Sequence, residues 1–574
     1  MASFPNETRP DEDCAATGSG QDIEPSNATV EVDYLHSWRL ALVTTSLCLG
    51  TLLVAIDTTI IAVAVPEIST YFQAFEDIQW YGSAYLLTVT AFQPAYGSIY
   101  RYFGAKEVYL LSVLIFEVGS ILCAAAPTSA VFIAGRAIAG VGAAGLYQGA
   151  LAIVGLTVEL TKRPLYLGMV LSVFGIAVCF GPPLGGVFVD HSTWRWCFWI
   201  NLPIGAASTI LIIVFLRIGR QQEAEALSWR AKVRKLDLLG IATIISAVCC
   251  LILALQWGQS SRRWGQSKVI GTFVGAFVLT SAFGLIQWRK GHAATIPLSV
   301  LRQRSIFMGA WYLFFLEMAI YVDLFYIPFY FQSAQLISAT SSGVKAIPLG
   351  LAQIIAIVAV GAIVSRWGQY VPFMVAGQLV AIVGTTLLTR ITVTSRYAPI
   401  AVYLVISGVG FGMGLQLPFT GVQAVLKDDQ VPIGNAIMVF FSQLGAAIAI
   451  AIAQSVLSTS LQTDIVQKLQ TTDDPRFASL EPIAVLSAGP TGLTAFAHDP
   501  IILRFLQNCY ANAVRNTLYV ALATAAVAMP FAAGMQWLNV KKIGEEIKHS
   551  GIQLSQDLAQ SQVVAAEKVS EKDA

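Results

Sequence analysis

The chain has 574 residues, of which 56% are hydrophobic and only 12% are charged, and its formal net charge is +1. Soluble domains carry about 25% charged residues, so this composition excludes a soluble globular protein. Apolar runs of about 20 residues, each long enough to cross a bilayer, recur along nearly the whole length. The sequence therefore predicts an all-α polytopic membrane protein in contact with the lipid bilayer.

Fourteen spans are predicted. The first 38 residues are polar and acidic and are expected to form a disordered cytosolic tail without a signal peptide. The spans follow at 39–66, 79–100, 108–126, 130–156, 165–189, 197–217, 237–257, 269–288, 305–331, 344–364, 372–389, 398–424, 433–457 and 511–538. An even number of spans places both termini on the same side of the membrane.

Lysine and arginine are concentrated in the loops on the side of the N-terminus, and the stretch 218–236 is the richest of them. Positive charge marks the cytosolic side, so both tails, 1–38 and 539–574, are predicted to be cytosolic. The long connection 458–510 then lies outside, either as a cap over the exit or as a loop packed on the outer face. We expect the plasma membrane as the location, with the vacuolar membrane as the alternative.

Five charged residues fall well inside predicted spans: Asp57, Glu117, Arg136, Glu317 and Asp323. A charge at the membrane centre costs at least about 2.5–3.5 kcal/mol on insertion scales, so each needs a partner, a cavity or a proton. Counting about 1.5 Å per residue places Asp57, Arg136 and Asp323 in one layer of the outer half. Glu117 and Glu317 fall nearer the midplane, and Glu117 is interpreted as a structural hydrogen-bonding group.

Asp57 is the best partner for Arg136 by depth. Arginine stays protonated in proteins, so it can hold the carboxylate ionised in one conformation. When the pair separates, the desolvated carboxyl takes a proton. This predicts a proton-coupling role for Asp57 and Arg136. A static pair that only fixes helix packing, or no contact at all, are the alternatives.

Asp323 shares a helical face with Tyr326 and Tyr330, three and seven residues further on. An acid beside aromatic rings suits a cationic or amphipathic aromatic substrate. We therefore predict substrate-binding roles for Glu317, Asp323, Tyr326 and Tyr330. Aromatic residues are so frequent in this span that any of its faces would show some, which leaves a purely structural role open.

The run GIAVCFGPPLGG at 175–186 places adjacent prolines among glycines inside a span. Neighbouring helices satisfy the backbone groups that proline frees in a membrane, and glycines let helices approach closely. We predict that Gly181, Pro182, Gly185 and Gly186 shape a gate. A glycine pair seven apart, Gly97 and Gly104, recurs at Gly361 and Gly368, as in transporters built from repeats.

No disulfide framework, metal-ligand spacing or phosphate-binding loop is visible in the sequence. We therefore expect no metal, nucleotide or other cofactor, no nucleic-acid partner and no enzymatic activity. The proton gradient would supply the energy, small molecules and protons would be the ligands, and the protein would act as a monomer.

The motifs together resemble the fourteen-helix drug:proton antiporters of the major facilitator superfamily, in particular their fungal branch. The resemblance covers about residues 40–540 and rests on the following stretches: LVAIDTTIIAVAVPEI around Asp57, GSIYRYFGAKEVYL (97–110), GRAIAGVGAAG (135–145), GPPLGG (181–186), WRWCFWINLPIG (194–205), YIPFYFQ (326–332), SSGVKAIPL (341–349) and GVGFGMGLQLPF (408–419).

The resemblance implies the major facilitator fold: an N-terminal six-helix bundle (39–217), two extra central helices (237–288) and a C-terminal six-helix bundle (289–538). It implies that Arg136 is the proton-linked arginine and that GPPLGG is an antiporter motif. Gly97, Gly104 and Lys106 match the cytosolic loop motif after helix 2. This loop departs from the family at Arg101, where an aspartate is usual, and at Ala105, where a basic residue is usual.

The sequence is thus interpreted as a proton-coupled efflux transporter for amphipathic organic compounds such as drugs, toxins or fungal secondary metabolites. Two alternatives are considered. Proton-coupled import of a small organic molecule or metal chelate conflicts with the antiporter motif. A non-transporting membrane sensor would normally carry a sizeable cytosolic domain, whereas the tails here are short.

Overall fold

The computed structural model describes residues 38–74, 77–216, 229–261, 264–291, 294–427, 429–471 and 500–546. The helices within these ranges are α1 Trp38–Phe72, α2 Ile78–Tyr102, α3 Ala105–Ala124, α4 Ser129–Thr157, α5 Arg163–His191, α6 Trp196–Trp199, α7 Asn201–Phe215, α8 Trp229–Lys235, α9 Leu238–Ser261, α10 Ser267–Lys290, α11 Leu298–Leu301, α12 Arg304–Ser333, α13 Ala339–Trp367, α14 Val371–Leu388, α15 Tyr397–Leu415, α16 Leu417–Val425, α17 Val431–Thr471 and α18 Pro500–Gly534.

Each of the fourteen predicted spans corresponds to one long helix or to a closely joined helix pair, α6–α7 or α15–α16. In the described ranges, thirteen of these segments are long and apolar enough to cross a membrane. The remaining one, α2, has 25 residues and is more polar, because it carries Thr88, Thr90, Gln93 and Ser98. The predicted membrane protein built from helices is therefore confirmed.

Helix ends follow local chemistry. The Thr128 side chain accepts a hydrogen bond from the backbone of Val131 and caps the start of α4, which satisfies a donor that the first turn leaves free. Gly368 ends α13 in the left-handed region, at a φ of 81°. A side chain rarely adopts that conformation, which explains Gly368, whereas Gly104 at the same place in the first copy of the pattern has a φ of −59°.

Helices α1–α7 form one bundle, here called the N-half, and α12–α18 form a second bundle, called the C-half. In the N-half α3 packs along α4, α2 along α4 and α1 along α5. In the C-half α14 packs along α15, α13 along α15 and α12 along α17 and α18. The chain reaches the C-half through α9 and α10, which pair with each other and contact α2 through α9.

The two halves meet along α5 with α13 and along α2 with α17. We call the face where α1 begins and α18 ends the terminal face. There Arg101 forms an ion pair with Asp429 at 3.0 Å, and Gln148 Nε2 donates a hydrogen bond to the Pro432 carbonyl at 2.6 Å. These contacts join the halves at the terminal face.

Toward the opposite face the halves separate. A Cβ added at Gly175 of α5 would overlap Ile354 of α13, and one at Gly350 would lie 3.1 Å from Cys179. Further toward the opposite face, Gly186 of α5 and Gly343 of α13 have open space where a Cβ would be. The described part of the molecule is therefore closed at the terminal face and splayed at the opposite one.

Several predicted segments fall partly outside the described residues. These are the tail 1–38 apart from Trp38, residue 217 at the end of the predicted span 197–217, residues 218–228 of the predicted loop 218–236, residues 472–499 of the predicted loop 458–510, and residues 547–574 of the second tail. Within the described parts, α8 forms a helix in the first loop. Helices α17 and α18 extend into the second loop to Thr471 and from Pro500.

Candidate proton and substrate site

A buried ion pair lies in the N-half. Arg136 Nη1 of α4 donates to Asp57 Oδ2 of α1 at 2.5 Å, and Arg136 Nε donates to the Tyr81 carbonyl of α2 at 2.8 Å. Asp57 is 0% exposed and Arg136 is 1% exposed. Asp57 Oδ1 has no hydrogen-bond partner among the described residues. A charged pair is thus held between three helices, and one carboxylate oxygen is left to accept a proton or a further donor.

Aromatic rings enclose this pair. The Arg136 guanidinium carbon lies 4.5 Å from the centre of the Tyr85 ring and 5.9 Å from that of Phe198. Phe132 and Trp194 extend the aromatic cluster, each in an edge-to-face contact with Phe198. Rings placed over a guanidinium stabilise its charge and exclude water, which strengthens the ion pair.

Glu117 belongs to the same region but makes no ion pair with Arg136. Both of its carboxylate oxygens lack a hydrogen-bond partner among the described residues. Its side chain lies against Gly205 of α7, where an added Cβ would overlap the carboxylate. The predicted hydrogen-bonding role of Glu117 is therefore wrong for this conformation, because α7 presents a bare backbone where a donor would be needed.

The GPPLGG segment lies in α5, which is helical from Arg163 to His191. A Cβ added at Gly181 would overlap the Thr59 side chain of α1, and Thr59 Oγ1 donates to the Ala177 carbonyl of α5 at 3.2 Å. Gly181 therefore lets α5 approach α1 two residues beyond Asp57. Gly186 has open space beside it. The side chain of Pro182 lies outside the described part.

The loop motif after α2 divides between the two halves. A Cβ at Gly97 would lie 2.5 Å from Ala436 Cβ of α17, so this glycine permits close contact between the halves. At Gly104 the atoms nearest to an added Cβ belong to the Glu107 side chain, three residues further on. Lys106 Nζ stays within the N-half and donates to the Ile213 and Leu216 carbonyls at the end of α7. Such a cation suits a helix C-terminus.

Glu317 lies on the partly exposed face of α12, where Ser442 Oγ of α17 donates to its Oε1 at 3.2 Å. Tyr321, one turn further along α12, is also partly exposed. Tyr147 of the N-half interacts electrostatically with both of these side chains, and Tyr321 does so with Tyr85. A carboxyl and three phenols are thus close enough to interact electrostatically across the boundary between the halves.

Asp323, Tyr326 and Tyr330 lie elsewhere on α12 and are buried, with exposures of 0%, 5% and 0%. The Tyr326 hydroxyl donates to Gln454 Oε1 of α17 at 3.1 Å, and the Tyr330 hydroxyl donates to the Thr392 carbonyl at 2.6 Å. Neither oxygen of Asp323 has a hydrogen-bond partner in the described part. The structure thus separates this trio from Glu317.

Several residues of this region were missed in the sequence. Tyr85, Tyr147 and Tyr321 are three among 19 tyrosines in the chain, and nothing in their local sequence distinguishes them. Asp429 could have been predicted. Arg101 stands where the loop motif usually has an aspartate, and such a reversed charge indicates an acidic partner on the facing loop. Within the described residues, no cluster of three or more His, Cys, Asp or Glu could hold a metal ion.

The sequence matches the Major Facilitator Superfamily over residues 47–450. The chain belongs to this superfamily. Its superfamily relatives include the "MFS-type efflux pump MFS1" of Arthroderma benhamiae, which is 41% identical over 90% of this chain and 95% of that protein. The "Aspyridones efflux protein" of Neocamarosporium betae is 39% identical over 88% of each chain. "Efflux pump aflT" of Aspergillus parasiticus is 36% identical over 89% of this chain and 98% of that protein.

Solved structures agree on the superfamily fold. A variant of XylE superposes on this chain with a TM-score of 0.56 at 13% sequence identity. The superposition covers 89% of this chain and 99% of the XylE chain. The human organic anion transporter MFSD10 superposes with a TM-score of 0.52 at 15% identity over 85% and 100% of the respective chains. The predicted family, its fungal efflux branch and the major facilitator fold are confirmed.

Proposed function

We propose that this chain is a proton-coupled efflux transporter that exports amphipathic organic compounds such as drugs, toxins or fungal secondary metabolites. The observation that carries the proposal is the buried Asp57–Arg136 ion pair, set in a chain whose relatives are named efflux pumps. The energy source is the proton gradient, with no cofactor, and the protein acts as a monomer. It works as a transporter and not as an enzyme.

Asp57 and Arg136 couple protons to the movement of the halves. In the observed conformation Arg136 compensates the carboxylate, which is otherwise costly inside a membrane. Protonation of Asp57 removes the attraction, and the guanidinium is then held only by the Tyr81 carbonyl and the surrounding rings. Because α1 also touches the GPPLGG segment through Thr59 and Gly181, a change at Asp57 is transmitted directly to α5, which contacts the C-half.

The direction of opening follows from the distribution of positive charge. The positive-inside rule assigns the terminal face to the cytosol, with both termini there. The observed conformation, closed at the terminal face and splayed at the opposite one, then faces outward and releases substrate. We place the protein in the plasma membrane, where this orientation exports compounds from the cell.

Glu317 is the acid we assign to the substrate. It lies on the partly exposed face of α12 one turn from Tyr321, and Tyr147 of the N-half interacts with it electrostatically. A carboxyl near phenol side chains suits a cationic aromatic compound, and residues from both halves change their spacing when the halves rock. Asp323, Tyr326 and Tyr330 can touch substrate only after a rearrangement, because they are buried here.

The proposal is tested with rhodamine 6G, an amphipathic aromatic cation, in cells that express the full chain. Export predicts less intracellular dye than in control cells and a rise when an uncoupler is added. Asp57→Asn abolishes the difference, whereas Glu67→Gln, an exposed acid on the same helix, preserves it. If the protein raises intracellular dye and the uncoupler has no effect, export is wrong.

A further inference from the structure

The two halves repeat the same helix contacts. Three glycine contacts in the N-half recur in the C-half with a constant displacement of 268 residues between α4 and α15. The pairs are Gly119–Ala139 with Gly384–Ser407, Gly142–Phe116 with Gly410–Ala381, and Gly140–Tyr85 with Gly408–Leu349. The same displacement places Leu404 of α15 where α4 has Arg136. Leu404 is fully buried.

The acids of the first helix in each half also correspond. Asp57 and Asp323 each follow the first residue of their helix, Trp38 and Arg304, by nineteen positions. Just beyond them, Thr59 bonds α1 to α5 and Tyr326 bonds α12 to α17. Asp323 is therefore the C-half counterpart of Asp57. The position that corresponds to Arg136 holds Leu404 in the C-half.

Among the described side chains, no cation replaces the missing arginine. The charged side chains described on the helices around α12 are Lys345 and Arg366 on α13, Asp464 on α17, and Arg504 and Arg515 on α18. None of them pairs with Asp323 in the described part of the chain. Lys345 lies over the rings of Phe331 and Tyr397, and Arg515 interacts with Asp464. An isolated ionised carboxylate is too costly in such surroundings, so the group is neutral instead.

We propose that Asp323 is a second proton-binding site of the transport cycle, neutral and protonated in this outward-facing conformation. One carboxylate oxygen binds one proton from the outer side, and that proton leaves to the cytosol when the C-half opens inward. The titratable side chains on the same face, Tyr326 and Tyr330, use their hydroxyls for Gln454 and Thr392. The inference rests on the proposed proton-coupled export.

Polar side chains lie between Asp323 and the outer side of the C-half. Tyr326 and Tyr330 lie about one and two helical turns beyond Asp323. The Tyr330 hydroxyl accepts from Gln335 Nε2 at 3.1 Å, and the same nitrogen donates to the Ser395 carbonyl at 3.0 Å. Thr392, which accepts from Tyr330, is exposed. The side chains of Tyr326 and Tyr330 thus lie between Asp323 and the outer rim, and no hydrogen bond in the described part joins them to the Asp323 carboxyl.

The direct test needs no substrate. Infrared difference spectra of the purified full-length protein in lipid, taken between mildly acidic and alkaline pH, report the C=O stretch of protonated carboxyls. We expect Asp323→Asn to remove one such band and the control Asp237→Asn, an acid that forms an ion pair with Lys290, to keep it. If Asp323→Asn retains every carboxyl band of the wild type, the proposal is wrong.

The second test uses proteoliposomes loaded with a pH indicator and rhodamine 6G as the probe. Asp323→Asn should lower the number of protons moved per dye molecule by about half, because one of two sites is lost, and Leu404→Arg should act in the same direction. Dye counterflow without a gradient shows that the variants fold. An unchanged ratio in Asp323→Asn overturns the proposal. If wild type moves no dye, the proposed function fails and the infrared result alone decides Asp323.

Discussion

In the N-half, Asp57 lies against the guanidinium of Arg136, whereas in the C-half the corresponding acid, Asp323, has Leu404 at the place of the arginine. The helix contacts around the two sites are otherwise closely similar, down to matching glycines. The shared packing is what the fold requires. The two acids differ in their surroundings, because among the described residues the N-half acid has a counter-ion and the C-half acid has none, and we propose that this difference gives them different roles in transport.

The largest expected effect comes from making the N-half resemble the C-half. Arg136→Leu leaves Asp57 buried without its cation, and breaking a buried pair in this way costs about 3–5 kcal/mol of folding free energy. Proton-driven dye export should fall to background. Thermal unfolding of purified protein and the dye assay measure the two effects.

The double variant Asp57→Asn/Arg136→Leu is the control for Arg136→Leu. It removes both charges and should recover most of the lost stability while transport stays absent. If Arg136→Leu alone keeps wild-type export, the pair is only structural and the comparison between the halves loses its functional meaning.

The sequence was sufficient for the fold because apolar runs and charge patterns report directly on a membrane environment. All fourteen spans correspond to helical segments, and the contact of Asp57 with Arg136 agrees with depth counted along the two helices. The face of α12 was harder to predict. Aromatic residues surround this helix on every side, so the sequence assigned Glu317 the same substrate-binding role as Asp323, Tyr326 and Tyr330, and the structure separates Glu317 from these three. Partners on distant helices, such as Tyr147, leave no local signal.

Close packing supplies the next prediction. A Cβ at Gly140 or Gly408 would overlap the carbonyl of Tyr85 or Leu349, so Gly140→Ala and Gly408→Ala should each cost about 1–3 kcal/mol. Gly140→Ala should also reduce proton-driven export, because it displaces the helix that carries the Tyr85 ring over Arg136. Gly408→Ala has no such ring to move. If Gly140→Ala and Gly408→Ala lose the same amount of export for the same loss of unfolding free energy, the expected difference between the two variants is wrong.

The segment that joins the halves offers a test that touches neither acid. Asp237, just before α9, accepts hydrogen bonds from Lys290, Gln287 and the backbone of Gly240. Burial raises its pKa, but the bonds from Lys290, Gly240 and Gln287 outweigh burial and leave the pKa below its ordinary value. Asp237→Asn should therefore cost about 1–3 kcal/mol at neutral pH.

The effect of Asp237→Asn has a defined pH window. Because the pKa of Asp237 is lower in the folded protein, its carboxylate stabilises the fold at any pH above the unfolded-state pKa of about 3.9. This stabilisation is lost as the pH falls through the folded-state pKa. The stability difference from wild type should thus be constant from neutral pH down to about 4 and narrow below it. If the difference in unfolding free energy between wild type and Asp237→Asn grows on acidification, the role given to ionised Asp237 is wrong. Asp237→Asn should also leave the infrared carboxyl band of Asp323 unchanged, and an altered band would contradict the independence of the two sites.

The smallest expected effect concerns the contact between the halves at the terminal face. Arg101 and Asp429 are 19% and 46% exposed, and ion pairs of such exposure contribute at most about 1 kcal/mol. Asp429→Ala should therefore raise the opening of this face by up to about fivefold. Hydrogen–deuterium exchange at the start of α17 measures that opening, because the segment from Val431 packs on α2.

A charge swap and a matched pair on the same face complete this test. Arg101→Asp/Asp429→Arg should restore slow exchange, since it returns the attraction with reversed polarity. Glu159→Ala breaks the Lys162–Glu159 pair, which lies within the N-half, and should leave exchange in α17 unchanged. If Glu159→Ala accelerates exchange as much as Asp429→Ala does, the opening of this face depends on its overall surface charge and not on the Arg101–Asp429 ion pair. The two halves would then be held together at the terminal face by their buried contacts alone, such as Gly97 against Ala436.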